Sequence, residues 1–99
     1  MTTTTNYRAQ LVSDLMQLGI QLTDAAGRDG IAPAQAARRL MDAASCRAAA
    51  QQVRAGGSFE VGEAFRVAGH ELLAAWDEAD ENAIHAERAA RRDGKAVAL

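Results

Sequence analysis

Aromatic side chains to build a core are scarce, with one Trp, one Tyr and two Phe among 99 residues. A core must therefore be made mostly from alanine. A domain of this size buries only part of the surface its unfolded chain exposes and is marginal alone. Association with itself or with a partner would offset that deficit. The single proline and the near absence of β-branched runs argue against sheet. The one cysteine, Cys46, has no second thiol to pair with in the chain, which fits a reducing, cytoplasmic setting. No apolar run approaches the length of a membrane span. Met1 to Asn6 are polar and do not read as a signal peptide. The expectation is a single all-α domain over residues 1–99, with residues 1–6 a disordered lead-in and 94–99 a flexible tail.

The net charge of −2 hides an uneven distribution. Residues 31–57 carry Arg38, Arg39, Arg47 and Arg54 against Asp42, a balance of +3. Residues 58–87 carry eight acids against Arg66 alone, a balance of −7. Residues 88–99 return to +3 through Arg88, Arg91, Arg92 and Lys95 against Asp93. An acidic block thus lies between two basic ones.

Three helices are expected. Asn6 suits an N-cap for a first helix over Tyr7–Ala26, and Leu11, Leu15, Leu18 and Leu22 form a close helical stripe. Gly19 weakens that helix unless another backbone packs against it, and Ile20 points away from the leucines. Gly27 and Gly30 suit the break, and Pro33 suits the first turn of a second helix that runs to about Ala55. Its packed face is expected to be Ala37, Leu40, Met41, Ala44 and Ala48. Gly56 and Gly57 stop it, and Ser58 is the expected N-cap of the third.

The third helix, Ser58 to Asp93 with an end near Gly94, organises the chain. Val61, Phe65, Ala68, Leu72, Ala75, Ala79 and Ala83 recur in steps of four and three, with Trp76 beside them. At roughly 100° per residue they fall on one side of a helix, and glutamates fall on the other. That apolar side is expected to pack on an antiparallel pair made by the first two helices. The side chains expected inside are Leu11, Leu15, Leu18, Leu22, Leu40, Met41, Phe65, Leu72 and Trp76. A break near Gly69 would turn the small three-helix bundle into four helices. The apolar stripe continues through Ala83, Ala86 and Ala90, past the reach of the first two helices, and a homodimer would hide that extension.

Three constellations resemble chemistry. Glu60-Val-Gly-Glu63 and Glu78-Ala-Asp-Glu81 resemble the carboxylate motifs that hold Mg²⁺ in all-α nucleotide pyrophosphohydrolases. Those motifs sit on facing helices, whereas both pairs here share one helix and lie too far apart to share a metal. His70-Glu71 begins like a zinc-protease signature, but Ala74 stands where its second histidine belongs. Cys46 has no neighbouring His or Cys at metal spacing and reads as a half-buried small side chain. No catalytic residue, metal or cofactor is therefore expected. Ala34 to Leu40 resembles the first helix of a helix-turn-helix, with Arg38, Arg39, Arg47 and Arg54 as phosphate contacts. Yet Met41 to Ala44 continue the helix where a turn is required. The acidic block would also repel DNA, so direct nucleic-acid binding is only the alternative reading.

The carboxylate side of the third helix, roughly 30 Å long at 1.5 Å per residue, serves solubility or recognition. A rigid row of carboxylates imitates spaced phosphates and suits a basic groove. A short chain with an acidic helical module, the Glu60 to Glu81 stripe and no enzyme motif resembles the small helical anti-CRISPR proteins of phages and mobile elements. The resemblance implies a non-enzymatic inhibitor that binds a CRISPR–Cas effector complex and blocks capture of target DNA. The expected contact residues are Glu60, Glu63, Glu71, Asp77, Glu78 and Glu81, with Arg28 and Asp29 of the first loop. No membrane partner is expected.

Overall fold

The computed structural model describes the backbone of residues 2–98 and the side chains of residues 7–93; Met1 and Leu99 lie outside it. It contains α1 (Thr2–Ala26), α2 (Pro33–Arg54) and α3 (Phe59–Ala98), and no strand among the described residues. The all-α, three-helix expectation is met, and α3 passes Gly69 without a break. Two ends differ from expectation. Helix starts at Thr2, not Tyr7, so Asn6 lies inside α1. The first described side chain of α1, Tyr7, packs on Phe59 with ring centroids 5.1 Å apart. α3 continues to Ala98 through the expected end at Gly94 and the expected tail. Alanine, arginine and glutamate are strong helix formers, an Arg91–Glu87 pair one turn apart supports them, and one internal glycine costs only about 1 kcal/mol.

α1 and α2 form an antiparallel hairpin. Arg8 near the start of α1 donates to the carbonyl oxygen of Val53 at 2.6 Å, adding a second donor to a carbonyl that also accepts from the Gly56 N–H at the C-terminus of α2. At the other end, Arg39 of α2 donates to the carbonyl oxygen of Ala25 at 3.1 Å. The loop turns at Gly30, whose φ of 81° suits glycine. Gly19 sits where a Cβ would meet Arg47 Cγ at 2.7 Å, so its bare backbone is what lets α2 close in. Between the helices, Leu11, Leu15, Leu18 and Leu22 are buried as their spacing requires. They meet Ala43, Cys46, Ala49, Ala50 and Val53.

The inner faces of α2 and α3 are not the ones the apolar spacing suggests. α2 packs through Arg39, Ala43, Cys46, Ala50 and Val53. Leu40 and Met41, expected inside, are 46% and 70% exposed, and Ala37, Ala44 and Ala48 are also on the outside. α3 packs through Gly62, Arg66, Gly69, Leu73, Trp76 and Asp80, one residue round from the stripe of Val61, Phe65, Ala68 and Leu72. Phe65 is 37% and Val61 48% exposed, while Leu72 and Trp76 are only half-buried.

The physical reason is close approach. A Cβ on Gly62 would stand 2.5 Å from Val53 Cγ2 and 3.0 Å from Leu11 Cδ2. One on Gly69 would stand 3.0 Å from Leu18 Cδ1 and 3.1 Å from Cys46 Sγ. The two glycines, seven residues apart, let α3 lie in the groove between α1 and α2, and the rotation they impose also delivers Asp80 to Arg39. Ser58 caps the start of α3, accepting from the Val61 N–H at 3.3 Å. Beyond Asp80, α3 is exposed at nearly every described position and projects from the bundle, giving a molecule 72 × 23 × 16 Å.

Candidate functional site

Two clusters of charge arise from this packing, and they differ in kind. The first joins the α1–α2 loop and α2 to the inner face of α3. The Arg39 side chain is 1% exposed and its guanidinium grips Asp80 with both nitrogens at 2.8 Å. It also lies 4.9 Å from the centroid of the Trp76 ring. Arg28, from the α1–α2 loop, donates to Asp80 at 2.7 Å and pairs with Asp77. The Arg39 hydrogen bonds hold the Asp80 carboxyl at about 2, below the usual 3.8; burial opposes this and Arg28 adds to it. This arrangement fixes the loop and α3 to each other. Arg28 and Asp77, two residues the sequence suggested for partner contact, are thus paired with each other at its outer end, where the Asp77 side chain stays 55% exposed. Asp29 and Gly30 beside them are exposed.

The second cluster lies on the surface of α3. Glu60, Glu71 and Glu78 are exposed and form no ion pair among the described residues. Their spacing of 11 and 7 residues keeps them on one edge, about 27 Å from first to last at 1.5 Å per residue. The other acids of the expected row are not equivalent. Glu63 accepts from Arg66 and from the Tyr7 hydroxyl at 2.9 Å, and these hydrogen bonds, that of Arg66 foremost, lower the pKa of its carboxyl. Glu81 lies 3.6 Å from His85, a turn further along. The continuous row is thus a row of three free carboxylates with two partnered ones alongside.

Next to it is a shallow depression. Tyr7 and Phe59 close one end, Ala64, Val67 and Ala68 make an apolar floor, and Glu60, Glu63 and Glu71 stand on the rim. Helical periodicity in α3 predicted the glutamates. Tyr7 was missed because it belongs to the first helix, 56 residues from Glu63 along the chain.

The other motifs remain apart. Among the described residues no three His, Cys, Asp or Glu side chains converge as metal ligands, and the two Glu-x-x-Glu pairs stay on one helix. Cys46 is fully buried rather than half-buried, and burial pushes its thiol pKa up, away from the reactive thiolate. α2 runs unbroken through Met41–Ala44, where a helix-turn-helix would need its turn. Of its four arginines, Arg39 is committed to the interior. Arg47 donates to the Thr23 hydroxyl at 3.0 Å. Among the described residues no helix is long and apolar enough to cross a membrane. The chain matches no protein-family model, and comparisons with curated proteins and with solved structures give no match.

Proposed function

We propose that the protein is a non-enzymatic interaction module that docks the acidic edge of α3 on a basic protein surface. The observation that carries this reading is the apolar depression floored by Val67 and rimmed by Glu60, Glu63 and Glu71. An arginine or lysine from a partner has an apolar stem and a charged head. Its stem fits the floor and its head meets a carboxylate on the rim. Glu71 and Glu78 continue the same edge, so several basic side chains in a row would be engaged. Such rows are what nucleic-acid-handling proteins present to phosphates. A partner of that kind would be blocked from its nucleic acid by occupation. A CRISPR–Cas effector complex is the partner that the resemblance to small anti-CRISPR proteins implies.

The test starts with capture of binding proteins by the immobilised chain, followed by titration of the captured partner. Surface charge steers association and is screened over about 8 Å at physiological ionic strength, so affinity should fall as salt rises. The Glu71→Lys/Glu78→Lys variant should keep the fold and bind at least tenfold more weakly at low salt. Parental affinity for that variant at both low and high salt would reduce the acidic edge to a solubility device.

A further inference from the structure

The side of α3 left uncovered by α1 and α2 carries Val61, Phe65, Ala68, Ala75, Ala79, Ala83, Ala86 and Ala90, with the half-buried Leu72 in the same row. Its order has a symmetry. Positions 61 and 90, 65 and 86, 68 and 83, and 72 and 79 lie equally far from a midpoint just after Ala75. The large residues of the first half, Val61, Phe65 and Leu72, are mirrored by the alanines Ala90, Ala86 and Ala79. We propose that α3 pairs with α3 of a second copy, antiparallel, about a twofold axis passing beside Ala75 and Trp76.

In that register every large side chain meets an alanine, and Ala68 meets Ala83. The two helices can then keep one even separation along the whole contact. A parallel pair would set Phe65 against Phe65 and Leu72 against Leu72 at one end and leave alanine against alanine at the other, forcing the helices apart where the side chains are large. Charge agrees with the antiparallel choice. The basic end of one copy's α3, Arg88 to Arg92, comes level with the acidic start of the other around Glu60, on faces turned away from the seam, whereas parallel pairing would bring the two basic ends level with each other. The contact runs about 44 Å at 1.5 Å per residue, and a helix pair of that length buries on the order of 1,200 Å², the size of a specific interface. The projecting half of α3 also gains a partner, since it lies along the other copy's Val61–Ala68 segment.

A twofold axis perpendicular to the helix pair keeps like flanks on the same side. Both α1–α2 hairpins would therefore lie on one side of the α3 pair and both acidic edges on the other, Glu71 of one copy near the level of Glu78 of the other. The dimer stands independently of the function proposed above; if that function holds too, the partner meets a double row of carboxylates rather than a single one.

The test uses the purified chain alone. Light scattering at tens of micromolar should give twice the 10.5 kDa chain mass. Ala86→Arg, on the exposed projection, should give the single-chain mass with an unchanged circular-dichroism melt in dilute protein, because it fills the space over Phe65 of the other copy and touches no core. Register is read by oxidation in a Cys46→Ala background. The Ala68→Cys/Ala83→Cys variant should cross-link almost completely, and Ala68→Cys alone should not, since the two copies of position 68 would be about 22 Å apart along the pair. A strict monomer at those concentrations, an intact Ala86→Arg dimer, or efficient cross-linking of Ala68→Cys alone would each overturn the proposal.

Discussion

Replacing Asp80 with asparagine should destabilise the protein far more than a surface charge change does. Arg39 is 1% exposed and Asp80 is its only described carboxylate partner, so the variant leaves a buried guanidinium without a counter-charge. Removing one member of a buried pair costs about 3–5 kcal/mol. Asparagine still offers one oxygen to Arg39, and the Asp80 side chain is 18% exposed, which places the expected loss near the lower end, about 3 kcal/mol. For a chain of this length that lowers the melting temperature by about 12–24 °C. Urea and thermal melts followed by circular dichroism would measure it. Exchanging both partners, Arg39→Met with Asp80→Leu, should restore much of the loss, because an apolar pair needs no counter-charge. A variant carrying Asp80→Asn alone that melts within about 0.5 kcal/mol of the parent would refute the view that this pair holds α3 in place.

Further expectations follow from the same packing. Leu15→Ala opens a cavity at a fully buried site and should cost about 2–5 kcal/mol, whereas Leu72→Ala, half-buried, should cost about 1 kcal/mol in dilute protein, read from urea melts of the two. The Asp80 carboxyl is held at about 2 against an ordinary 3.8, so its contribution is present above pH 4 and is lost as pH falls from about 4 to 2. The loss amounts to about 2 kcal/mol, and the Asp80→Asn variant should lack this part of the acid transition in pH-dependent melts. Arg8→Met should weaken the hairpin by about 1–2 kcal/mol, since it removes the hydrogen bond to Val53 and the contact of the guanidinium with Phe59, 4.3 Å from the ring centroid.

The fold was legible in the sequence wherever one strong apolar stripe met one partner. Leu11, Leu15, Leu18 and Leu22 predicted the inner face of α1 because all four had to be covered, and Gly30, Pro33, Gly56 and Ser58 marked the breaks. The inner faces of α2 and α3 were misread for a shared reason. Periodicity counts apolar side chains, but these faces were selected by closeness and by charge. Gly62 and Gly69 carry no hydrophobic signal, although their seven-residue spacing is the trace that close packing leaves. Arg39 and Asp80 lie 41 residues apart, so neither announces the other. Leu40, Met41, Phe65 and Val61, the most conspicuous apolar residues outside α1, remain outside. Of the candidate site, the edge of Glu60, Glu71 and Glu78 was readable as a helical row. The pairing of Arg28 with Asp77 and Asp80 was not, because it depends on where the loop comes to rest.

The central claim is the rotation of α3: glycines inward, Val61 and Phe65 outward. The most direct measurement is the stability of Gly62→Ala and Gly69→Ala by urea melts in dilute protein. In an exposed helix interior, glycine to alanine stabilises by about 1 kcal/mol. Here the added Cβ would meet Val53 and Leu11 at position 62, and Leu18 and Cys46 at position 69. Overpacking of that kind costs about 1–3 kcal/mol. The account predicts that both variants are less stable than the parent, Gly62→Ala the more so because its nearest contact is 2.5 Å from a stiff valine. Two variants more stable than the parent would place those positions on the outside of α3 and contradict the packing from which the acidic edge and the apolar stripe were assigned.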